Sequence, residues 1–155
     1  MWILSKNVAL SCLPWVALLA ASSARAACPK MAGAYELKDA GRTVLLDVVQ
    51  FECERFETIY RYDGSDEVRR PMIIDGQRRQ DLDSEEITIY STYSWSGSEI
   101  VMLQETRWKG EDRRLVGRGR IFLSPAAEWT EQTQFFDEAG ASLGETRQTF
   151  RKRAI

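Results

Sequence analysis

The sequence predicts an all-β fold, an antiparallel up-and-down meander of about eight to ten strands that closes into a small barrel. Three observations carry that expectation. After residue 27, apolar and polar residues alternate with the period of a strand, and no stretch holds a helical amphipathic period. Turn signals separate the alternating runs: Asp39–Ala40–Gly41–Arg42, Asp63–Gly64, Asp75–Gly76 and Ser96–Gly97–Ser98. Three runs then follow one another between Ile87 and Leu123, each closed by a short turn, and a closed barrel suits such a meander because it leaves no exposed edge.

The first 26 residues stand apart. Lys6 gives a basic start, Val8 to Ala21 form an apolar run, and Ser22 to Ala26 are small residues apart from Arg25. That pattern is a secretory signal peptide, 1–26, with cleavage after Ala26, leaving 27–155 as a single β-barrel domain. The apolar run is short and interrupted by Pro14, below the ~20 residues a membrane helix needs. No transmembrane segment is therefore expected after signal cleavage. Ala26–Ala27–Cys28 resembles the end of a lipidation signal, but Arg25 stands where that signal needs an aliphatic residue. Export implies a periplasmic or secreted location.

Lys6 and Arg25 leave with the signal and no acidic residue does, which takes the formal charge from −2 to −4. A mildly acidic chain is a poor partner for nucleic acid or anionic membrane. Of the three cysteines, Cys12 lies in the signal, so Cys28 and Cys53 remain as an even pair, which in an exported domain reads as one disulfide. The chain contains no His. Cys/His zinc sites and the usual nucleophile–His arrangements are thereby absent, no cofactor or metal is implied, and the chain is not expected to be an enzyme.

The strands follow in order. Gly33–Lys38 is the first. Thr43–Glu52 is the most hydrophobic, and a two-residue loop at Ala40–Gly41 places Cys28 opposite Cys53, at a separation that suits a disulfide. Arg55–Tyr62 alternates Phe56, Thr58, Tyr60 and Tyr62 against Glu57, Ile59 and Arg61. Glu67–Ile74 carries Pro71 and so belongs at an edge or a bulge. Asp75–Gly76 signals a hairpin to the polar run Gln77–Leu82. In the central meander, Ile87, Ile89, Ser91, Tyr93 and Trp95 share one face. Leu115, Gly117, Gly119, Ile121 and Leu123 share a face of the third strand, the clearest alternation in the chain. Glu128–Asp137 and Glu145–Arg153 complete the set.

The residues offer little for catalysis. Asp81, Asp83 and Glu85 form an incomplete set of calcium ligands and read better as a polar turn. Asp47 interrupts an apolar run, where a satisfied structural carboxylate is favoured over a ligand anchor. The basic clusters Arg69–Arg70, Arg78–Arg79, Arg113–Arg114 and Arg151–Lys152–Arg153 are interleaved with acids and read as solvated outer surface. Charge in 77–82 and 113–120 argues against a lipid-facing barrel.

Gly33–x–Tyr35 and the late Arg151 resemble the Gly-x-Trp start and closing Arg of the lipocalin-like calycin superfamily, particularly its secreted bacterial members, with Tyr in place of Trp. The resemblance implies a barrel for a small apolar or amphipathic ligand, with Tyr35 and Arg151 closing one end. Tyr93, Trp95, Leu115, Gly117, Gly119, Ile121 and Trp129 are the expected ligand-binding residues, and the two glycines suggest internal space opposite Tyr93 and Trp95. The alternative is a secreted protein-binding module, such as an enzyme inhibitor, working through loops 63–67 and 137–144 with a protein partner. An internal cavity of about 300 Å³ or more would favour the first, and a filled barrel the second.

Overall fold

The computed structural model describes residues 28–39, 41–63 and 65–154, so the expected signal peptide lies outside the described residues. The fold consists of β1 (Gly33–Asp39), β2 (Arg42–Phe51), β3 (Arg55–Tyr62), β4 (Glu67–Ile73), β5 (Arg79–Asp83), β6 (Ile87–Ser96), β7 (Glu99–Trp108), β8 (Arg114–Leu123), β9 (Trp129–Phe136) and β10 (Ser142–Lys152). No helix occurs among the described residues, and so none there is long and apolar enough to cross a membrane.

All ten strands form one antiparallel sheet in the order β4-β3-β2-β1-β10-β9-β8-β7-β6-β5. Neighbours in sequence are therefore neighbours in space, apart from one break. β10 returns to β1, and the sheet curls into a half-barrel whose edges are β4 and β5. The β1–β10 join is short, pairing Tyr35 with Lys152 and Glu36 with Arg151. Residues 142–148 of β10 run past it and are exposed.

The β1–β2 hairpin has the expected register, with Tyr35 opposite Leu46 and Asp39 opposite Arg42. Extended outward, that register brings Cys28 to Cys53, and they form a disulfide with Cα atoms 5.6 Å apart. Gln50 fastens the incoming chain beside it. Its Oε1 accepts from the Met31 and Ala32 N–H groups, and its Nε2 donates to the Pro29 carbonyl. Met31 thereby enters the core with no exposed surface.

The expected hairpin at Asp75–Gly76 does not form. β4 and β5 leave that connection as separate edges, and the chain crosses to the middle of β6 instead. Ile74 makes a parallel bridge to Tyr93, and the Gly76 N–H donates to the Tyr93 carbonyl at 2.9 Å. Asp75 stabilises the crossing: its carboxylate accepts from the Gln77 N–H and takes both Nη groups of Arg79 at 2.6 Å. Those bonds, Arg79 foremost, hold the Asp75 carboxyl at about 2. Local turn chemistry is satisfied, but Pro71 keeps β4 from donating a full ladder and β5 has only five residues.

Inside the curl, alternate residues of each strand meet. Leu46, Phe56, Met72, Ile100, Trp129 and Phe150 are each at most 1% exposed. Burying an aromatic or large aliphatic side chain stabilises by roughly 1.5–3 kcal/mol, so this cluster is the main source of stability. Tyr35 belongs to it. Its hydroxyl donates to the Met31 carbonyl at 2.8 Å, and its ring lies 6.1 Å from that of Trp129.

Candidate functional site

The break between β4 and β5 leaves a cavity of about 200 Å³ at the seam. β4 contributes Arg69, Arg70, Pro71 and Ile73, β5 and the connection before it contribute Arg79, Gln80 and Asp81, and β6 forms the floor with Ser91 and Tyr93.

Arg70 is the distinctive group. Strand alternation turns it inward, opposite Thr58 on β3, while Arg69 points out to Glu57 and Glu67. Its guanidinium is enclosed, and the residue keeps some accessible surface where it borders the cavity. Nε and Nη2 donate to the Tyr93 hydroxyl at 3.1 and 2.8 Å, and Nη2 also meets the Met102 thioether at 2.9 Å. Arg70 forms no ion pair with a carboxylate among the described residues, and Nη1 donates to none of them. Burial pulls its pKa down, but Tyr93, Tyr60 and Glu131 outweigh that and raise it, so it stays a cation.

Two carboxylates stand near without pairing with it. Asp81 accepts from the Tyr93 hydroxyl at a long 3.4 Å. Glu131 on β9 acts on Arg70 from beyond ion-pair range, its Oε1 already accepting from Tyr60 at 2.5 Å and from Trp129 Nε1 at 2.8 Å. Burial, reinforced by the Glu131 charge, raises the pKa of the Tyr60 hydroxyl far above its ordinary value. The Tyr93 hydroxyl is also raised, by burial foremost, against the opposing pull of Arg70 and Ser91. Ser91 is 1% exposed, and its Oγ acts on the Tyr93 hydroxyl but has no other partner among the described residues.

The expected site residues divide into three groups. Tyr93, Ile121 and Trp129 belong to the packed core, at 3%, 3% and 0% exposure, with Trp95 packed against it. Ile121 and Trp129 fill the interior, whereas Tyr93, packed on the same core, also borders the seam cavity. Trp95 donates its Nε1 to the Cys53 carbonyl at 2.8 Å and meets Phe56 edge-on. Gly117 and Gly119 do not open space at their Cβ positions, although Gly119 also borders an open groove of about 540 Å³ with Val101, Leu103 and Arg118. A Cβ at Gly119 would lie 2.8 Å from Met102 Cε and 2.9 Å from the Gln132 carbonyl oxygen, so the glycine lets strands pack closely. Leu115 sits elsewhere, in a groove of about 420 Å³ at one end of the sheet with Trp108, Ala139 and Leu143.

Arg151 departs from its expected place. Alternation puts it beside Glu36 on the outer face, where it is exposed and 3.7 Å from Glu128, while Lys152 stands opposite Tyr35. It does not pack across that ring. Asp47 is the satisfied structural carboxylate, bound by Arg61 and Arg153.

Sequence reasoning missed Arg70, Ser91 and Glu131 as a group. The alternation that separates Arg69 from Arg70 was the available signal, since one of two adjacent strand residues must face inward. Among the described residues, no three His, Cys, Asp or Glu side chains gather into a group able to hold a metal ion. No family model matches the chain, and no curated protein matches it in sequence. The fold and seam define a class only: among the described residues, an all-β half-barrel with one disulfide and a small cavity bordered by a half-buried arginine.

Proposed function

We propose that this chain is an exported, periplasmic or secreted, lipocalin-like protein that binds a small amphipathic molecule without transforming it, and that the ligand sits at the β4–β5 seam. The single observation carrying the reading is Arg70, a half-buried cation that borders the cavity and has no carboxylate in ion-pair range among the described residues. A cation drawn this far from solvent with no ion pair to offset its desolvation costs the fold stability, which makes such a residue more useful to a ligand than to the fold. The walls suit an amphipathic guest: Pro71, Ile73 and the Tyr93 ring are apolar, and Arg70 and Gln80 are polar. The filled interior holds no guest, the outcome expected to favour the loop-binding reading, so the proposed ligand site is the seam instead. At about 200 Å³ the seam cavity is smaller than the roughly 300–1,000 Å³ of drug-sized sites, so the guest is small. The disulfide supports an extracytoplasmic location, where such bonds persist.

Native mass spectrometry of protein purified from its own host tests this. A retained small molecule, lost in Arg70→Met, is the expected result. Bare protein that also gains no thermal stability from a panel of small amphipathic fragments would overturn it.

The loop-binding reading keeps one specific support. Leu143, 60% exposed beside the 137–141 turn, forms an apolar groove with Leu115 and Trp108. A protein partner held there would be displaced by Leu143→Glu and left untouched by changes at Arg70.

A further inference from the structure

Resting on the seam as the ligand site, we infer that its guest is an organic monoanion, a carboxylate on a short apolar body, with the carboxylate seated against Arg70. Among the charged residues bordering the cavity are three cations, Arg69, Arg70 and Arg79, and one anion, Asp81. Arg69 is held by Glu57 and Glu67, and Arg79 by Asp75, all through exposed contacts. Arg70 alone of the three lacks a carboxylate, and it alone is enclosed, where a charge is least screened. Asp81 is exposed, so solvent weakens its repulsion of an anion.

The donor geometry points the same way. Nε and Nη2 are turned to Tyr93 and Met102, which leaves Nη1 with two N–H groups and no protein acceptor. A group that only accepts, as a carboxylate does, completes that fork. It would also offer the Ser91 hydroxyl, on the same cavity wall, an acceptor besides the Tyr93 hydroxyl. An alcohol supplies a weaker acceptor, and an ammonium supplies none. Pro71 and Ile73 then cover a few methylene groups or a small ring.

The test is a titration of the intact protein with sodium hexanoate, 1-hexanol and hexylamine at neutral pH, followed by ¹H–¹⁵N spectra that include the arginine Nε–Hε signals. Hexanoate is expected to shift the Arg70 Nε–Hε signal and the Ser91 and Tyr93 amides saturably. Arg70→Met should weaken that binding tenfold or more, and Ser91→Ala about threefold. Arg70→Gln, polar and flexible, serves in place of Arg70→Met if the latter fails to fold. If hexanol or hexylamine moves the same signals with equal or higher affinity, the carboxylate assignment is overturned while the seam remains a ligand site. If none of the three moves them, the carboxylate assignment and the seam site fall together.

Discussion

Arg153, just after β10, places Nη2 2.8 Å from Asp47 Oδ1, a contact across 106 residues that ties the end of β10 to β2. Arg61 takes the other oxygen at 2.5 Å and continues to Glu67, so one carboxylate gathers β2, β3, β4 and the chain end. The tie lies next to the short β1–β10 join, and the Arg153 N–H donates to the Ala34 carbonyl at 2.9 Å beside it. It secures the place where the half-barrel has fewest ladder bonds.

A pH dependence follows. The hydrogen bond from Arg61, with lesser help from Arg153, lowers the Asp47 pKa despite some burial. A carboxyl depressed in the folded state contributes stability above its unfolded pKa, ~3.9, and loses it as pH falls through the lower folded value. Denaturant midpoints of the wild type should therefore decline below about pH 4 more steeply than those of Asp47→Asn. Near neutrality the substitution should cost about 1 kcal/mol, because solvent screens the cluster. Parallel curves for the two proteins through that range would refute the role given to Asp47.

The disulfide should matter more. Cys28 and Cys53 are 25 residues apart, and closing that loop stabilises by about 3.5 kcal/mol in the chain-entropy account. The bond also steadies the end of the β1–β2 hairpin, where Gln50 holds Met31 in place. Reduction, or a Cys28→Ala/Cys53→Ala double variant, should lower the urea midpoint, and with it the unfolding free energy by about that value. An unchanged midpoint would show that the hairpin register alone sets this end of the fold.

What was legible in the chain, and what was not, divides along one physical line. Strand positions, the β1–β2 register and the disulfide come from local rules: alternation, turn residues and loop length. Tyr35, Tyr93, Ile121 and Trp129 are buried as alternation and their size suggest. Two kinds of feature escaped. Arg151 was placed by resemblance, whereas its face is decided by its pairing with Glu36. The seam depends on how far the sheet curls, because Asp75–Gly76 has hairpin chemistry but its chain segment finds β6 as a neighbour. Arg70 became visible as a site residue only once β4 had an inner side and no partner strand beyond it.

The glycines of β8 illustrate the same limit and yield a test. Read in sequence, inward glycines suggest room. In the fold, an added Cβ at Gly119 meets Met102, Thr133 and the Gln132 backbone at 2.8–2.9 Å, whereas one at Gly117 meets side chains at 3.2 Å and beyond. Met102 and Thr133 can turn aside, but a ladder carbonyl cannot. Gly119→Ala should thus destabilise by about 1–3 kcal/mol, as overpacking does, with Gly117→Ala costing less. Equal costs in thermal unfolding, or none at Gly119, would mean that β8 and β9 are more loosely joined than these contacts require.

The interior charges give the last prediction. Glu131 accepts from Tyr60 and Trp129, and its field reaches Arg70 across the core. Glu131→Gln removes the charge and weakens both hydrogen bonds, leaving Arg70 less compensated, so it should destabilise by about 1–3 kcal/mol. Arg70→Met removes a buried cation and should cost little or even stabilise, since an apolar side chain of similar length often replaces a buried charge without loss. Because the two groups interact, the double variant should be more stable than the sum of the single effects by at least about 0.5 kcal/mol. A double-mutant cycle by urea unfolding measures that coupling. Additivity would separate the two charges energetically and leave Arg70 with no interior carboxylate to offset it, which would strengthen its reading as a residue kept for a ligand.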